Sequence, residues 1–281
     1  KRAQALARAI GHVELQALSA AWLAHLEFNA SRMEPMIEHA AEALRLAAPE
    51  HHAALARASL VVADAYHYAG RFDLAKGWYA AVRQHALADG DDAMISAMLH
   101  NVAALRVNKI HLDDVQGKST ADDLQRAEME TDSAESYDIG IGTLSLKSFV
   151  PLIRAQLLTT QGRFLEAAHI LSAVLDHERP DRLARRESEF LAERAWCYVK
   201  LGDSKRALAD ASTAIRFLAE STDFDDIAAT YYRTAAVLEA LGKEDEAGTY
   251  AIAAAAAFKQ YQVARAGLLH QLQRVFDLPP L

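Results

Sequence analysis

Small apolar residues, large apolar residues and glycine recur along this chain in one order. In four segments an Ala is followed after three residues by a large apolar residue, after seven by Gly and after twelve by a second Ala. The sets are Ala63, Tyr66, Gly70 and Ala75; Ala155, Leu158, Gly162 and Ala167; Ala195, Tyr198, Gly202 and Ala207; and Ala235, Leu238, Gly242 and Ala247. Each set predicts a helical hairpin. A first helix ends at the Gly, which takes the left-handed conformation of a helix C-cap, and a second begins within a few residues. The two Ala residues let the paired helices touch.

The four Gly residues are 92, 40 and 40 positions apart. A step of 92 in a series of 40 requires one degenerate unit plus an insertion of about twelve residues. Leu99, Val102 and Ala103 supply that unit, with Ile110 in the Gly position. An earlier unit places Ala24 seven residues before Ser31, sets Ser31-Arg32-Met33 where Gly-Arg-Phe stands later, and puts Pro35 in the first turn of its second helix. The chain therefore reads as six hairpins, at about 12–50, 51–90, 91–140, 141–180, 181–220 and 221–260, followed by a capping helix at 261–276. The stretch from His111 to Asp123 reads as a polar loop holding the insertion. Tyr137 to Ser148, with Gly140 and Gly142, reads as a kink or loop midway and as a candidate hinge.

Composition agrees with an all-α single domain. Gly and Pro number 12 and 6, about half their usual share, and Ala makes up about a fifth of the chain, so turns and strand formers are scarce. The net charge of -8 disfavours nucleic acid and anionic membrane surfaces as partners. The longest uncharged apolar run, Ala251 to Phe258, is too short to span a bilayer, and the N-terminus lacks a hydrophobic signal core. A lone Cys197 forms no internal disulfide, which fits a reducing cytoplasm. A chain that opens on Lys1 and stops at Leu281 fits the sensor part of a longer protein with a separate output domain.

The set of offsets resembles the tetratricopeptide repeat (TPR), well matched in four units and degenerate in two, over about residues 12–260. The 40-residue period and acidic turns such as Asp89-Gly90-Asp91-Asp92 are similar to the repeats of bacterial signalling proteins, among them maltose-regulator-type activators and the sensor regions of diguanylate cyclases. The resemblance implies an α-solenoid with a right-handed superhelix and a binding site on its concave face. The family's groove positions lie two, three, six, ten and thirteen residues before the Gly position. Carried onto this chain they are His25, Phe28 and Asn29; Arg57, Leu60, Asp64, His67 and Tyr68; His100 and Asn108; Phe149, Leu152, Gln156, Thr159 and Thr160; Glu189, Trp196 and Lys200; and Tyr232 and Glu239. Such a surface suits a peptide backbone or a small polar signal, because these side chains donate and accept hydrogen bonds while offering flat area. With only Arg57 and Lys200 as cations, it is not a carboxylate clamp.

No catalytic constellation is visible, and neither enzymatic activity nor a cofactor is expected. Nine of the twelve His precede Asp113, yet only Glu166-x-x-His169 has the Glu-x-x-His spacing of a di-iron helix, and its partners are missing. Asp223-Phe224-Asp225-Asp226 reads as capping acids before a helix that begins near Ile227. Arg182, Arg185, Arg186 and Arg194, interleaved with Asp181, Glu187, Glu189 and Glu193, read as a solvated, ion-paired face. Cys197 reads as a buried structural thiol. The expected reading is a regulatory module that binds a protein, a peptide segment or a small signal. Its alternative is an assembly scaffold that binds no ligand and forms homodimers through the apolar C-terminal helix (Tyr261, Val263, Leu268, Leu269, Leu272, Val275 and Phe276), and a remoter one is an all-helical enzyme with a site assembled from dispersed residues such as His25, Asp64, His67 and His100.

Overall fold

The computed structural model of the chain describes residues 1–118, 121–142, 149–178, 186–218 and 223–276. Among these residues there are thirteen α-helices and no strand: α1 (Arg2–Ala9), α2 (Val13–Asn29), α3 (Met33–Leu46), α4 (His52–Tyr68), α5 (Phe72–Asp89), α6 (Asp92–Asp114), α7 (Ala121–Ile141), α8 (Phe149–Thr160), α9 (Phe164–Ala173), α10 (Glu187–Lys200), α11 (Ser204–Phe217), α12 (Phe224–Ala240) and α13 (Glu244–Val275). A π-helical turn, Val174–Glu178, follows α9.

The four expected Gly turns are all present, and one mechanism makes them. Gly70, Gly162, Gly202 and Gly242 have φ of 81°, 77°, 80° and 74°. The residue after each donates its N–H to the carbonyl of the large apolar residue five positions back: Arg71 to Tyr66, Arg163 to Leu158, Asp203 to Tyr198 and Lys243 to Leu238, at 2.8–2.9 Å. This is the Schellman closure, which satisfies orphan carbonyls at the helix end. Ser31, standing in for Gly, adopts φ 56° and closes α2 the same way, through Arg32 N–H to the Glu27 carbonyl. The paired Ala residues, Ala63 with Ala75, Ala155 with Ala167 and Ala195 with Ala207, are buried.

Three expectations change. Ile110 does not end a helix; α6 runs through it to Asp114, and the turn comes at Gly117, φ 72°, with Lys118 N–H bonded to the Asp113 carbonyl. His111 to Asp114 are therefore helical rather than loop, and seven residues of the insertion lengthen α6 by two turns. The break expected near residue 260 is absent, because no Gly or Pro stands between Gly248 and Gly267, and α13 continues for 32 residues. An additional helix, α1, lies ahead of the repeats and ends at Gly11, φ 69°. Gly140 is helical within α7 and Gly142 (φ 69°) follows the helix, while residues 143–148 of the expected hinge lie outside the described residues.

The chain divides into two compact units, residues 1–105 with 263–281, and residues 106–262. In the first, α2 pairs with α3 and α4 with α5, α2 and α3 both pack on α4, and α1 packs on α2. Ala20, Ala21, Ala43 and Ala58 meet there, with Leu44 packed against them, and the small side chains let the helices approach closely. The end of α13 belongs to this unit: Leu268, Leu272 and Phe276 are buried, and the Phe276 ring lies edge-on to Trp78 at 5.7 Å. Most of the apolar seam proposed for homodimerisation thus faces its own chain.

In the second unit α8 pairs with α9 and α10 with α11; α8 and α9 pack on α10, and α10 and α11 pack on α12. Leu152, Leu171, Leu175, Phe190 and Leu191 form one core, and Leu158, Ala195, Cys197, Tyr198 and Val237 form another. Among the described residues no helix is long and apolar enough to cross a membrane.

Candidate functional site

In the second unit the polar residues of the first helices face one another. His111, near the end of α6, lies between two carboxylates of α10, with Nδ1 3.1 Å from Glu189 Oε1 and Nε2 2.8 Å from Glu193 Oε2. Each ring nitrogen meets an acceptor, so the ring carries both protons. Burial opposes that charge, but Glu193 and Glu189 outweigh it and hold the imidazolium up to about 9. The two glutamates, one turn apart, are drawn down to about 2 against the penalty of burial, Glu189 by Arg186 and His111 and Glu193 by Arg233 and His111.

The remaining bonds close the cluster. Gln156 of α8 donates to Glu189 Oε1 at 2.7 Å, and Arg186 Nε donates to Glu189 Oε2 at 2.9 Å while lying 3.6 Å from Asp226. Arg233 of α12 reaches Glu193 at 2.8 Å and Asp114 at 2.5 Å. Asn108 donates to Asp225 at 2.8 Å. Burial raises Asp225 to about 6 and Asp226 well above the ordinary carboxylate range. Once both are protonated, the cations His111, Arg186 and Arg233 face three carboxylates, Asp114, Glu189 and Glu193, and the cluster is neutral.

The aspartates and arginines therefore do not sit as the sequence reading placed them. Helix α12 starts at Phe224, Asp223 makes no capping hydrogen bond with its side chain, and Asp225 and Asp226 are buried. Glu189, Glu193 and Arg194 are buried and Arg186 partly so, not a solvated face; Arg182 and Arg185 lie outside the described residues. Arg194 forms a second set, with Asp210 at 2.7 Å and Asp176 at 2.9 Å. At the edge of this unit, the exposed Lys200 ammonium stands 4.2 Å above the Trp196 ring, Arg233 is 5.5 Å from the same ring, and Tyr232 meets Phe258 edge-on. Thr160 bonds back to the Gln156 carbonyl, and Thr159 lies 3.4 Å from Cys197 Sγ. Burial pushes that thiol up to about 12, leaving it inert as a nucleophile.

In the first unit Asp64 of α4 accepts from Tyr79 Oη at 2.8 Å and from Asn101 Nδ2 at 2.6 Å, and His67 Nδ1 is 3.2 Å from Tyr79 Oη. Burial raises Asp64 to about 7. Leu60 and His100 are also buried, so with Asp64, His67, Gln156 and Glu189 they meet protein rather than solvent in this conformation. An accessible set gathers around Trp22: Arg57 stacks on its ring at 4.0 Å, His25 meets it edge-on at 5.8 Å, and Asn29 Nδ2 is 3.1 Å from His25. Phe28 of α2 and Tyr68 of α4 are partly buried.

Sequence reasoning missed Trp22, Asn101, His111, Glu193 and Arg233. A signal existed. Counted from the true turn at Gly117, His111 and Asp114 are six and three residues before it, two of the family's groove offsets. Trp22, Asn108, Glu193 and Arg233 all stand nine residues before their turns, one helical turn from the offset of six. Among the described residues no group of three or more His, Cys, Asp and Glu is arranged to hold a metal ion, since arginines occupy the carboxylates of the buried cluster. No family model matches the chain, and no curated protein is similar to it.

Proposed function

We propose that the chain is a TPR-like stack of helical hairpins serving as a non-catalytic regulatory module, which binds a protein or peptide segment, or a small polar signal, along the first helices of its pairs. The observation that carries this reading is the unequal use of the two kinds of helix in the second unit. Apart from Ser172 and Asp210, which meet Arg194, helices α9 and α11 present mainly Ala and large apolar side chains to their neighbours, whereas α6, α8, α10 and α12 turn Asn108, His111, Gln156, Glu189, Glu193, Asp225 and Arg233 toward one another. Burying paired charges is no more stabilising than burying apolar residues of equal volume, so stacking alone does not account for the cluster. Perturbed groups gathered in one place are a mark of functional sites.

In this reading the cluster is the closed state of a switch. A ligand arriving at its accessible flank, Trp196, Lys200 and Tyr232, offers new hydrogen-bond partners and exchanges with the internal ones. The helices then repack, with Gly142 after α7 as a pivot. In the signalling proteins that the repeats resemble, such a change would pass to an output domain.

The test is a selection of random twelve-residue peptides displayed on phage against the intact chain, followed by anisotropy titration of the enriched peptides. Binding that falls at least about tenfold in a Trp196→Ala, Lys200→Ala double variant supports the reading. Enrichment of no peptide, together with a native mass equal to the denatured mass for the chain purified from its own cells, overturns it.

A further inference from the structure

Large apolar side chains are exposed at one place above all. Among the described residues fifteen are exposed, and six of them lie between residues 6 and 26. Leu6 of α1 and Ile10, the residue that ends it, are 63% and 61% exposed, and Leu26 and Trp22 of α2 are 55% and 45% exposed. With Leu15 and Leu18 they line an open groove of about 400 Å³ between the two helices. Elsewhere in this unit α2 packs on α3 and α4, and α4 on α5, and the exposed large apolar residues, Leu87, Val263 and Val275, are scattered.

The spacing defines what the groove accepts. Leu15, Leu18, Trp22 and Leu26 stand at i, i+3, i+7 and i+11 on α2, a stripe about 16 Å long, and Leu6 of α1 and Ile10 at its C-cap stand at i and i+4. Two such ridges with a furrow between them receive the ridge of a third helix. Lys1 is the charged residue lining the groove, and a second cation stands against its Trp22. The Arg57 guanidinium lies on the Trp22 ring and, among the described residues, is in no ion pair, the carboxylates of Asp91 and Asp64 acting on it only from a distance. A half-buried, unpaired guanidinium gains a charge-assisted bidentate bond when a carboxylate arrives.

We propose that the α1–α2 groove is a docking site for an amphipathic helix of a partner protein, a helix with apolar residues at i, i+3 or i+4, and i+7 and with an Asp or Glu where it passes Trp22, so that the acid pairs with Arg57. This is the helix-in-groove mode of recognition. It does not depend on the binding reading above, since the groove and the Trp196 flank share no residue.

The test uses the intact chain and a displayed library of helix-forming eighteen-residue peptides randomised on one face, with anisotropy titration of the enriched sequences. The expected peptides carry the apolar stripe and an acid. Leu6→Asp and Ile10→Asp, both at exposed positions and checked for unchanged helicity, weaken them about tenfold or more. Arg57→Ala weakens them several-fold, and replacing the peptide's Glu by Gln then costs nothing further. Four outcomes overturn the proposal: no helical peptide enriches; enriched peptides are indifferent to Leu6→Asp; they carry no acid; or the chain sediments as a dimer that Leu6→Asp splits, which assigns the groove to a second copy.

Discussion

The Tyr66 hydroxyl donates a 2.6 Å hydrogen bond to the carbonyl of Phe276, 210 residues further along the chain. Tyr66 also supplies the carbonyl that closes the Gly70 turn, so the end of α13 is fastened to the end of α4 at the point where α4 stops. Removing the hydroxyl leaves a buried carbonyl unpaired. Tyr66→Phe is expected to lower stability by about 1–2 kcal/mol, read as a urea midpoint shift. Truncation after residue 262, which uncovers Tyr66 and Trp78, is expected to cost more. If Tyr66→Phe unfolds at the wild-type urea concentration, this bond is not made in solution.

Stability is expected to be greatest in mildly acidic solution. His111 is held up to about 9 in the folded chain, against 6.5 for an ordinary imidazole, so its contribution is full below pH 6.5 and is lost as pH rises to 9. Glu189 and Glu193, drawn down to about 2 from 4.5, contribute above pH 4.5 and lose that as pH falls toward 2. Asp64, raised to about 7 from 3.8, adds a decline between those two values. Asp225 and Asp226, also raised by burial, decline from the same starting point, so urea midpoints should be highest near pH 4 and should fall steadily to pH 9. His111→Gln should be weaker than wild type at pH 6 and should lose less stability than wild type between pH 6.5 and 9. Asp64→Asn should flatten the stretch between 4 and 7. A wild-type profile that is level from pH 6.5 to 9 would show that His111 is not held as an imidazolium.

How far the sequence could be read follows from the range of each interaction. The turns at Gly70, Gly162, Gly202 and Gly242 were legible because everything that makes them lies within five residues. The third turn was misplaced by seven residues, from Ile110 to Gly117; seven residues are almost two whole turns, so the apolar face continues unchanged and periodicity cannot tell the two apart. The buried charges were read as solvent-facing because Asp225 and Asp226 in a first helical turn, and Arg186 beside Glu189, carry the same local pattern whether exposed or enclosed. What decides between these is a partner far away in sequence, Asn108 for Asp225 and His111 for Glu189. The exposed stripe on α1 and α2 was invisible for the converse reason: Leu15 and Leu18 look like core residues until the neighbour that would cover them is found missing.

Gly70 and Gly202 hold nearly the same backbone conformation, φ 81° and 80°, in different surroundings. A Cβ at Gly202 would meet nothing within 4 Å, whereas one at Gly70 would stand 1.9 Å from Arg265 Nη2. Either substitution by Ala places a side chain in the left-handed region, at about 1–2 kcal/mol. Gly70→Ala should cost more than Gly202→Ala, because Arg265 must also swing away, and Arg265→Ala in the Gly70→Ala background should recover the difference. Equal costs at the two glycines would show that Arg265 does not lie over the turn.

Arg194 holds Asp176 and Asp210 at once, so it joins α10 to the π-helical turn after α9 and to α11. Its guanidinium is nearly buried, Asp210 is 14% exposed, and burial raises that carboxylate even with Arg194 beside it. Removing the arginine alone leaves a carboxylate in a poorly hydrated position, so Arg194→Met is expected to cost about 3 kcal/mol. Asp210→Asn in the same chain relieves the stranded charge and should restore a large part of that loss, while Asp210→Asn alone costs less than Arg194→Met. The four proteins form a double-mutant cycle whose coupling is read from urea unfolding at pH 7. A coupling below about 0.5 kcal/mol would place this pair with ordinary surface ion pairs and would mean that α10 and α11 are held together by Ala195, Ala207 and their apolar neighbours alone.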